Sequence, residues 1–270
     1  MIRIEDLSMV FSPGTPDERL ALKNINLSVR HGEFITIIGS NGAGKTTLYN
    51  VISGTFIPTS GKIILLNEET GKEHDITKDK EYKRARYIGR IFQNPLLGTA
   101  GNMALEHNLL IARNKGYKSL KISLNNKMRA DFRNKLSILG MGLENRLGDN
   151  VGLFSGGQRQ ALTLLMTVMS RPALLLLDEH TAALDPHNAE LVMNLTLRFA
   201  KEFNLTVMMI THNMAHALKY GTRLLMMDGG EIILDLSEEE KRNMTQEDII
   251  QRFRDIKHSD LQNDEMLLIN

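Results

Sequence analysis

The stretch Gly39-Ser40-Asn41-Gly42-Ala43-Gly44-Lys45-Thr46-Thr47 constrains this chain more than any other. It fits the pattern G-x-x-x-x-G-K-[ST]. The apolar run Phe34-Ile35-Thr36-Ile37-Ile38 leads in, and Leu48-Tyr49-Asn50-Val51-Ile52 leads out. A buried strand that delivers a glycine loop into a helix is the context in which this pattern carries chemistry. The glycines let the backbone bend until successive N–H groups face inward, as a nest for a polyphosphate. The following helix adds its unpaired N–H groups and roughly half a positive charge of dipole. Lys45 brings a full charge to the outer phosphates, and the Thr46 hydroxyl is placed to bind Mg²⁺. The bland alternative is a plain strand-turn-helix corner, and the rest of the sequence argues against it.

Composition excludes more than it selects. With 270 residues, 42% apolar and 24% charged, the chain reads as soluble and globular, with room for one large domain. A net charge of +1 gives no overall field that demands nucleic acid or an anionic membrane as partner. The absence of cysteine excludes a disulfide framework, a cysteine zinc site and thiol catalysis, and suits a reducing cytosol. Met1-Ile2-Arg3-Ile4-Glu5-Asp6 carries charge where a signal peptide needs an apolar core. The most membrane-like stretch, Ala161 to Leu177, is broken by Arg171-Pro172, whereas a spanning helix needs ~20 apolar residues. Any membrane role is expected to run through a partner.

Ile2 and Ile4, then Ile25, Leu27 and Val29, alternate with polar residues and predict half-buried antiparallel strands around the loop Ser12-Pro13-Gly14-Thr15-Pro16. Phe11, just before that loop, reads either as a strand-end residue or as a platform for an adenine ring. Ser60-Gly61-Lys62 turns the chain into the strand Ile63 to Leu66, and the polar segment Asn67 to Arg86 predicts a loop and a short helix. Tyr87 to Phe92 reads as a strand ending at Gln93. From Asn94 to about Ser170 the texture is helical, marking a subdomain inserted into an α/β core. Its basic run, Arg113, Lys115, Lys118, Lys121, Lys127, Arg129, Arg133 and Lys135 against Asp131, has few aromatics and so is no nucleic-acid platform. A solvated face explains it, with acidic lipid headgroups or an acidic partner loop as the alternative.

Ala173 to Leu177 is a short apolar run ending in Asp178-Glu179, as a central parallel strand should. Pro186 to Glu202 predicts a helix with Leu191, Leu195 and Phe199 on one face, and Leu205 to Ile210 the next buried strand, ending at Thr211-His212. Asp228-Gly229-Gly230 between Leu224–Met227 and Ile232–Leu234 signals a hairpin. Ser237-Glu238-Glu239-Glu240 opens a charged helical tail with a capping box. The 15 methionines read as core filler, since most lie in apolar runs.

Open α/β sheets place ligand chemistry at the ends of parallel strands, where Asp178, Glu179 and His212 fall. Asp178 can hold Mg²⁺, through a water, and Glu179 is suited to orient or deprotonate an attacking water. Alone, such an acidic pair is as often a solvated corner. His212 and His216 make an i,i+4 pair, but with no third ligand nearby a polar contact from His212 to a terminal phosphate is the better reading than zinc. Ser155-Gly156-Gly157-Gln158 is an S-x-x-Q capping box opening a helix, and so a second anion site. One nucleotide has no use for two such helix starts far apart in a chain. Two copies, head to tail, solve that.

Taken together, these motifs resemble the ATP-binding-cassette ATPases over nearly the whole chain. Gly39 to Thr46 matches the first nucleotide motif, Gln93 the Q-loop, Ser155 to Gln158 the signature, and Leu174 to Asp178 the second nucleotide motif. Glu179 matches the catalytic glutamate, Ala183-Leu184-Asp185 the D-loop and His212 the switch histidine, with Phe11 as the adenine-stacking aromatic. The resemblance implies a P-loop NTPase core with a mostly parallel central sheet, an N-terminal antiparallel β subdomain and an inserted helical subdomain. On that plan residues 1–93 and 171–236 form the core, 94–170 the helical part and 237–270 a short tail. It implies ATP and Mg²⁺ as ligands, the metal on Thr46, Gln93 and Asp178. It also implies a homodimer or a dimer with a related subunit, an integral-membrane permease, and indirectly a solute-binding protein, at the cytoplasmic side of the membrane.

Two departures stand out: Phe154 replaces the usual leucine before the signature serine, and His180 stands where proline commonly follows the glutamate. The Asp178 to Pro186 wording looks like bacterial uptake ATPases that work with a permease resembling branched-chain amino-acid permeases, some proposed for aromatic amino acids. The rival is a soluble cassette ATPase serving cofactor assembly, such as an iron–sulfur scaffold. DNA-maintenance members need heptad arms that this chain lacks, and translation members carry two cassettes. A binding module without turnover is disfavoured by Glu179 and His212.

Overall fold

The alternating residues at the N-terminus build the first sheet, in a computed structural model that describes residues 1–66, 70–113 and 124–256. The elements begin with β1 (Ile2–Phe11), β2 (Arg19–Val29), β3 (Phe34–Gly39), α1 (Lys45–Ser53) and β4 (Ser60–Leu66). Next come β5 (Glu73–Asp75), α2 (Glu81–Arg84), β6 (Ile88–Ile91), α3 (Leu105–Arg113), α4 (Asn126–Ser137) and α5 (Gly156–Met169). Then follow β7 (Leu174–Asp178), α6 (Pro186–Glu202), β8 (Val207–Ile210) and α7 (Met214–Lys219). The series closes with β9 (Arg223–Asp228), β10 (Glu231–Leu236), α8 (Glu238–Arg242) and α9 (Gln246–Ile256). Packing divides the chain into two units, Met1–Ala85 with the chain from Leu205 on, and Arg86–Asn204.

In the first unit β1 lies antiparallel between β2 and β4, with Ile4 opposite both Leu27 and Ile63. Ile2 and Ile4 are buried, as the alternation requires, and an irregularity in the strand between Ile4 and Leu7 turns Leu7 inward as well. The second strand group centres on β3, whose six residues are all buried between two parallel neighbours, β8 and β9. A strand covered on both faces reads as a continuous apolar run. Its one polar member, Thr36, donates its hydroxyl proton to the Ala217 carbonyl at 3.0 Å. The predicted hairpin is β9 and β10, and α8 starts at the Ser237–Glu240 capping box. Ile249 and Phe253 of α9 pack with Ile38, Met214, Leu224 and Met226.

The second unit pairs β6 with β7 in parallel, Ile88 opposite Leu174 and Ile91 opposite Leu177. Helix α5 packs on β6, and α3, α4 and α6 pack on α5. The α5 helix is buried along most of its length, and Leu195 and Phe199 are buried on α6 with Leu191 half-buried. Among the described residues between Asn94 and Ser170 there is no strand, only three helices, two single 3₁₀ turns and an isolated bridge from Ala104 to Asn150.

Three details differ from the sequence reading. β5 was not expected: Glu73-His74-Asp75 is fully exposed and has no apolar alternation, so only backbone pairing with β4 makes it a strand. The strand predicted over Tyr87 to Phe92 is trimmed to Ile88–Ile91. In the basic run, Arg129 binds Glu106 at 2.8 Å and Lys135 pairs with Asp131, while Lys115, Lys118 and Lys121 lie outside the described residues.

Candidate nucleotide site

The phosphate loop spans the turn from β3 to α1, in the first unit. Gly39 has φ +148°, and a Cβ built there would lie 2.1 Å from the Met227 carbonyl oxygen. No side chain fits that approach, so glycine is required by packing as well as by conformation. The loop leans on the β9–β10 hairpin. Ser40 Oγ donates to Asp228 Oδ1 at 2.9 Å, and the Gly230 N–H donates to the Ala43 carbonyl at 3.1 Å. Lys45 is buried, its ammonium donating to the carbonyls of Gly39 at 2.6 Å and Ser40 at 2.9 Å. Asn41, Gly42 and Thr46 are exposed, Ser40, Gly44 and Thr47 half-buried, and Ala43 is buried. The loop is thus a ring of main chain wrapped round one lysine, with the open N-terminus of α1 beneath it.

The far end of α1 is held by a residue that sequence reasoning missed. Arg84, fully buried, donates to the carbonyls of Val51 (2.6 Å), Ile52 (2.9 Å), Thr77 (2.7 Å) and Asp79 (2.8 Å). The last carbonyls of a helix have no intrahelical partner and carry partial negative charge, which a guanidinium satisfies. Burial lowers the Arg84 pKa. Its only sequence signal is an arginine in a polar segment, which does not distinguish it from Lys83 or Arg86. Asp228 and Gly230 were legible as a hairpin, but nothing local linked them to the loop.

Phe11 ends β1 with its ring centroid 5.3 Å from that of Phe56, in an edge-to-face pair. His212 follows β8, half-buried, and Asn213 caps α7 by accepting from the His216 N–H. His216 rests on Tyr220, ring centroids 5.2 Å apart, which is the contact of a packed side chain.

The second unit holds Gln93, Ser155 to Gln158, Asp178, Glu179 and Asp185. The β6–β7 register sets Gln93 and Glu179 each two residues beyond the last pair, Ile91 and Leu177. Gln93 is exposed there. Asp178 is buried, and Arg90 reaches across from β6 to its Oδ2 at 3.0 Å while its guanidinium lies 4.6 Å from the Phe92 ring centroid. Glu179 follows with φ +49°, a left-handed backbone uncommon outside glycine. His180, in the position noted as a departure, is 1% exposed, and its Nε2 lies 3.0 Å from Thr196 Oγ1. Burial pushes its imidazole from 6.5 to about 4.

The predicted capping box opens α5: Ser155 Oγ accepts from the Gln158 N–H, and Gln158 Oε1 accepts from the Ser155 N–H. Ser155 and Gly156 are exposed while Gly157 is buried. A Cβ on Gly157 would come within 2.5 Å of Asn188 Cγ, and Asn188 Nδ2 donates to Asp185 Oδ2 at 2.7 Å. The signature glycine is therefore packed against the helix that Asp185 caps. Hydrogen bonds from Asn188 hold the Asp185 carboxyl below the usual range. Phe154 is buried under the Arg146 guanidinium, 4.5 Å from the ring centroid.

Comparison with known proteins follows the same outline. The family described as ABC transporter matches residues 22–182. The chain is 42% identical over 254 residues to the tyrosine transport ATP-binding protein of Clostridioides difficile (strain R20291), covering 94% of this chain and 98% of that one. It is 33% identical over 237 residues to the energy-coupling factor transporter ATP-binding protein EcfA2 of Clostridium tetani (strain Massachusetts / E88), covering 87% and 78%. The ADP conformation of MJ1267, an ATP-binding cassette of an ABC transporter, matches with TM-score 0.74 and 26% identity over 94% of this chain and 98% of that one. The dimeric post-hydrolysis state of the ATP-binding cassette MJ0796, bound to ADP and Pi, matches with TM-score 0.69 and 25% identity over 88% and 99%. Likeness in sequence and fold along nearly the full length places this chain in the ABC transporter family, as an ATP-binding and ATP-hydrolysing cassette on a P-loop α/β fold.

Proposed function

We propose that two copies of this chain, or one copy and a related subunit, close head to tail on two Mg·ATP and so drive a separate membrane permease. Each nucleotide is clamped between the phosphate loop of one chain and Ser155-Gly156-Gly157 of the other. The observation that carries this is the pair of exposed helix starts. The loop at Lys45 is a complete nest by itself, yet α5 presents a second capped N-terminus with Ser155 and Gly156 open to solvent. A second chain gives it a use.

The loop fits a triphosphate, because a Cβ at Gly39 would fill main-chain space and Lys45 already sits among carbonyls facing the turn. Thr46, Gln93 and Asp178 offer oxygens of the kind Mg²⁺ takes, and the metal when bound neutralises phosphate charge. Lys45 and His212 balance charge on the terminal phosphate, and Phe11 stacks on adenine. Glu179 accepts a proton from the attacking water, in line with the leaving group. Ser155 and Gly157 bind the γ-phosphate only while it is attached, so hydrolysis removes what holds the dimer shut. Asp185 joins the contact between chains.

The transported solute is a small molecule, an amino acid of aromatic type, imported through a permease resembling branched-chain amino-acid permeases and fed by a solute-binding protein. The 42%-identical tyrosine transport protein supports this choice of solute. Among the described residues no helix is long and apolar enough to cross a membrane, in keeping with a chain held at the cytoplasmic face by its partner. Leu96 and Leu97, 55% and 64% exposed just after Gln93, are where a short helix of that partner would dock.

Glu179→Gln is expected to retain ATP and form a stable dimer while losing at least about 100-fold in turnover, and Lys45→Ala to lose ATP binding. Turnover near wild type in Glu179→Gln overturns the base assignment. Pull-down from the membrane fraction should bring a multispanning protein; a soluble scaffold in its place supports the cofactor-assembly alternative.

A further inference from the structure

We propose that Gln160 and His180 are positioning residues for Glu179, forming a brace from the helix that begins at Ser155 to the main chain just before Gln93 and just after Glu179. The proposal rests on the reading of Glu179 as the group that orients water.

Glu179 occupies the left-handed region, φ +49°, at a cost on the order of 1 kcal/mol for a non-glycine residue. Its neighbours must hold it there. Before it, Arg90 fixes the Asp178 carboxylate at 3.0 Å. After it, His180 is held twice. Its carbonyl accepts from Gln160 Nε2 at 2.7 Å, and its ring Nε2 meets Thr196 Oγ1 at 3.0 Å. Thr196 already donates its hydroxyl proton to the Val192 carbonyl at 2.8 Å, so the ring must be the donor in the contact with Thr196. His180 therefore carries a proton on Nε2 and serves as a tether.

Gln160 makes the other half of the brace. Its Nε2 also donates to the Phe92 carbonyl at 3.0 Å, and the next residue is Gln93. One carboxamide thus joins the residue before Gln93 to the residue after Glu179. Turning the amide over would set its oxygen against two carbonyls, so its orientation is fixed. That orientation leaves Gln160 Oε1 buried with no hydrogen-bond partner among the described residues, at a cost of about 1–3 kcal/mol. A leucine or methionine of similar volume would incur no such cost. The side chain is explained by what its nitrogen ties together. Gln160 lies five residues beyond Ser155 on α5, roughly 7.5 Å along the axis. A shift of the helix start is carried to the Glu179 backbone by this side chain.

The test is steady-state ATP hydrolysis and equilibrium ATP binding on the full chain, with rates expressed per ATP-binding site. Gln160→Met and Thr196→Val are expected to lower kcat about 10- to 100-fold with KM for ATP within about twofold, while Thr196→Ser, which keeps the acceptor, stays near wild type. A folded Gln160→Met with wild-type kcat overturns the proposal, as does equal loss in Thr196→Val and Thr196→Ser. If Gln160→Met does not fold, the Thr196 pair decides alone. A merely structural role would lower the melting temperature and the number of binding sites but leave kcat per site unchanged. Glu179→Gln separates the two readings. If it is inert while the brace variants turn over normally, the brace fails alone; if it turns over normally, the reading of Glu179 fails first.

Discussion

The phosphate loop and the Asp178–His180 corner are both strand ends, but they are held in opposite ways. The loop is held by main chain: a carbonyl of Met227 against Gly39, the Gly230 N–H on Ala43, and loop carbonyls round Lys45. The corner is held by long side chains arriving from other elements: Arg90 on Asp178, Gln160 and Thr196 on His180. Main-chain cradles demand the absence of side chains and give a dense local motif. Side-chain braces are spread along the sequence, and each can be changed without altering the backbone. The two corners should therefore fail differently when mutated.

The largest effect is expected at Gly39. Gly39→Ala puts a methyl 2.1 Å from a backbone oxygen at φ +148°, so the strand end itself must move. We expect a loss of roughly 4 kcal/mol or more in stability and at least about 100-fold in ATP affinity, read by thermal melting and nucleotide titration. Gly157→Ala meets Asn188 Cγ at 2.5 Å and Cβ at 2.8 Å; rotation moves the first atom but not the second, so the start of α6 must also give way slightly. It should cost about 2 kcal/mol, less than Gly39→Ala, and break the Asn188 Nδ2 bond to Asp185 while the Asn188 N–H bond remains. Equal losses at the two glycines would remove the distinction between backbone and side-chain bracing.

Arg84 tests whether the loop corner stands on main chain alone. Arg84→Met keeps the stem but leaves four carbonyls without their guanidinium partner. About 3 kcal/mol should be lost in denaturant unfolding, with ATP affinity falling less than in Gly39→Ala, because the mutated end of α1 is the one away from Lys45. A neutral result would show that α1 holds its last turn without help.

The side-chain corner carries a pH dependence through His180. His180 is free to protonate at 6.5 once unfolded but only at about 4 when buried. Below 6.5 the unfolded chain binds a proton that the native chain does not, so stability is full above that value and falls as pH drops towards 4. At pH 4.5 this one residue should remove roughly 2–3 kcal/mol. Burial, helped by Lys219, lowers His216 as well, with the same sign. Unfolding of wild type and His180→Gln measured from pH 7 to 4.5 isolates the His180 share: the variant should lose less on acidification. Parallel curves would mean that His180 is not buried as a neutral tether.

How far the sequence could be read follows from the same difference. The loop, the capping boxes at Ser155 and Ser237, the hairpin at Asp228 and the strand ending in Asp178 were legible because each is written within a few adjacent residues. Gln160, Thr196, Arg90 and Arg84 were not, since the partners that matter lie up to 68, 16, 88 and up to 33 residues away. A glutamine two positions after Gln158 looks like any polar helix residue until the fold sets it under two carbonyls. β5 escaped for another reason: its three exposed residues have no face to bury, so no periodicity marks them.

The smallest expected effect concerns Phe154, the departure just before the signature serine. Its buried ring supports the Arg146 guanidinium at 4.5 Å, and Arg146 is in turn paired with Asp149 at 2.7 Å. Phe154→Leu restores the residue usual at this position. It keeps most of the apolar burial, loses the stacked cation, and should cost about 1 kcal/mol in thermal unfolding. The capping box uses only Ser155 and Gln158, so the α5 start stays formed and hydrolysis should remain within about twofold of wild type. Arg146→Met should reproduce most of the stability loss, and the double variant should lose little more than either alone, because both remove one contact. A large fall in hydrolysis with Phe154→Leu would instead show that the ring itself aims the signature helix, making this corner as dependent on side-chain bracing as the one around Glu179.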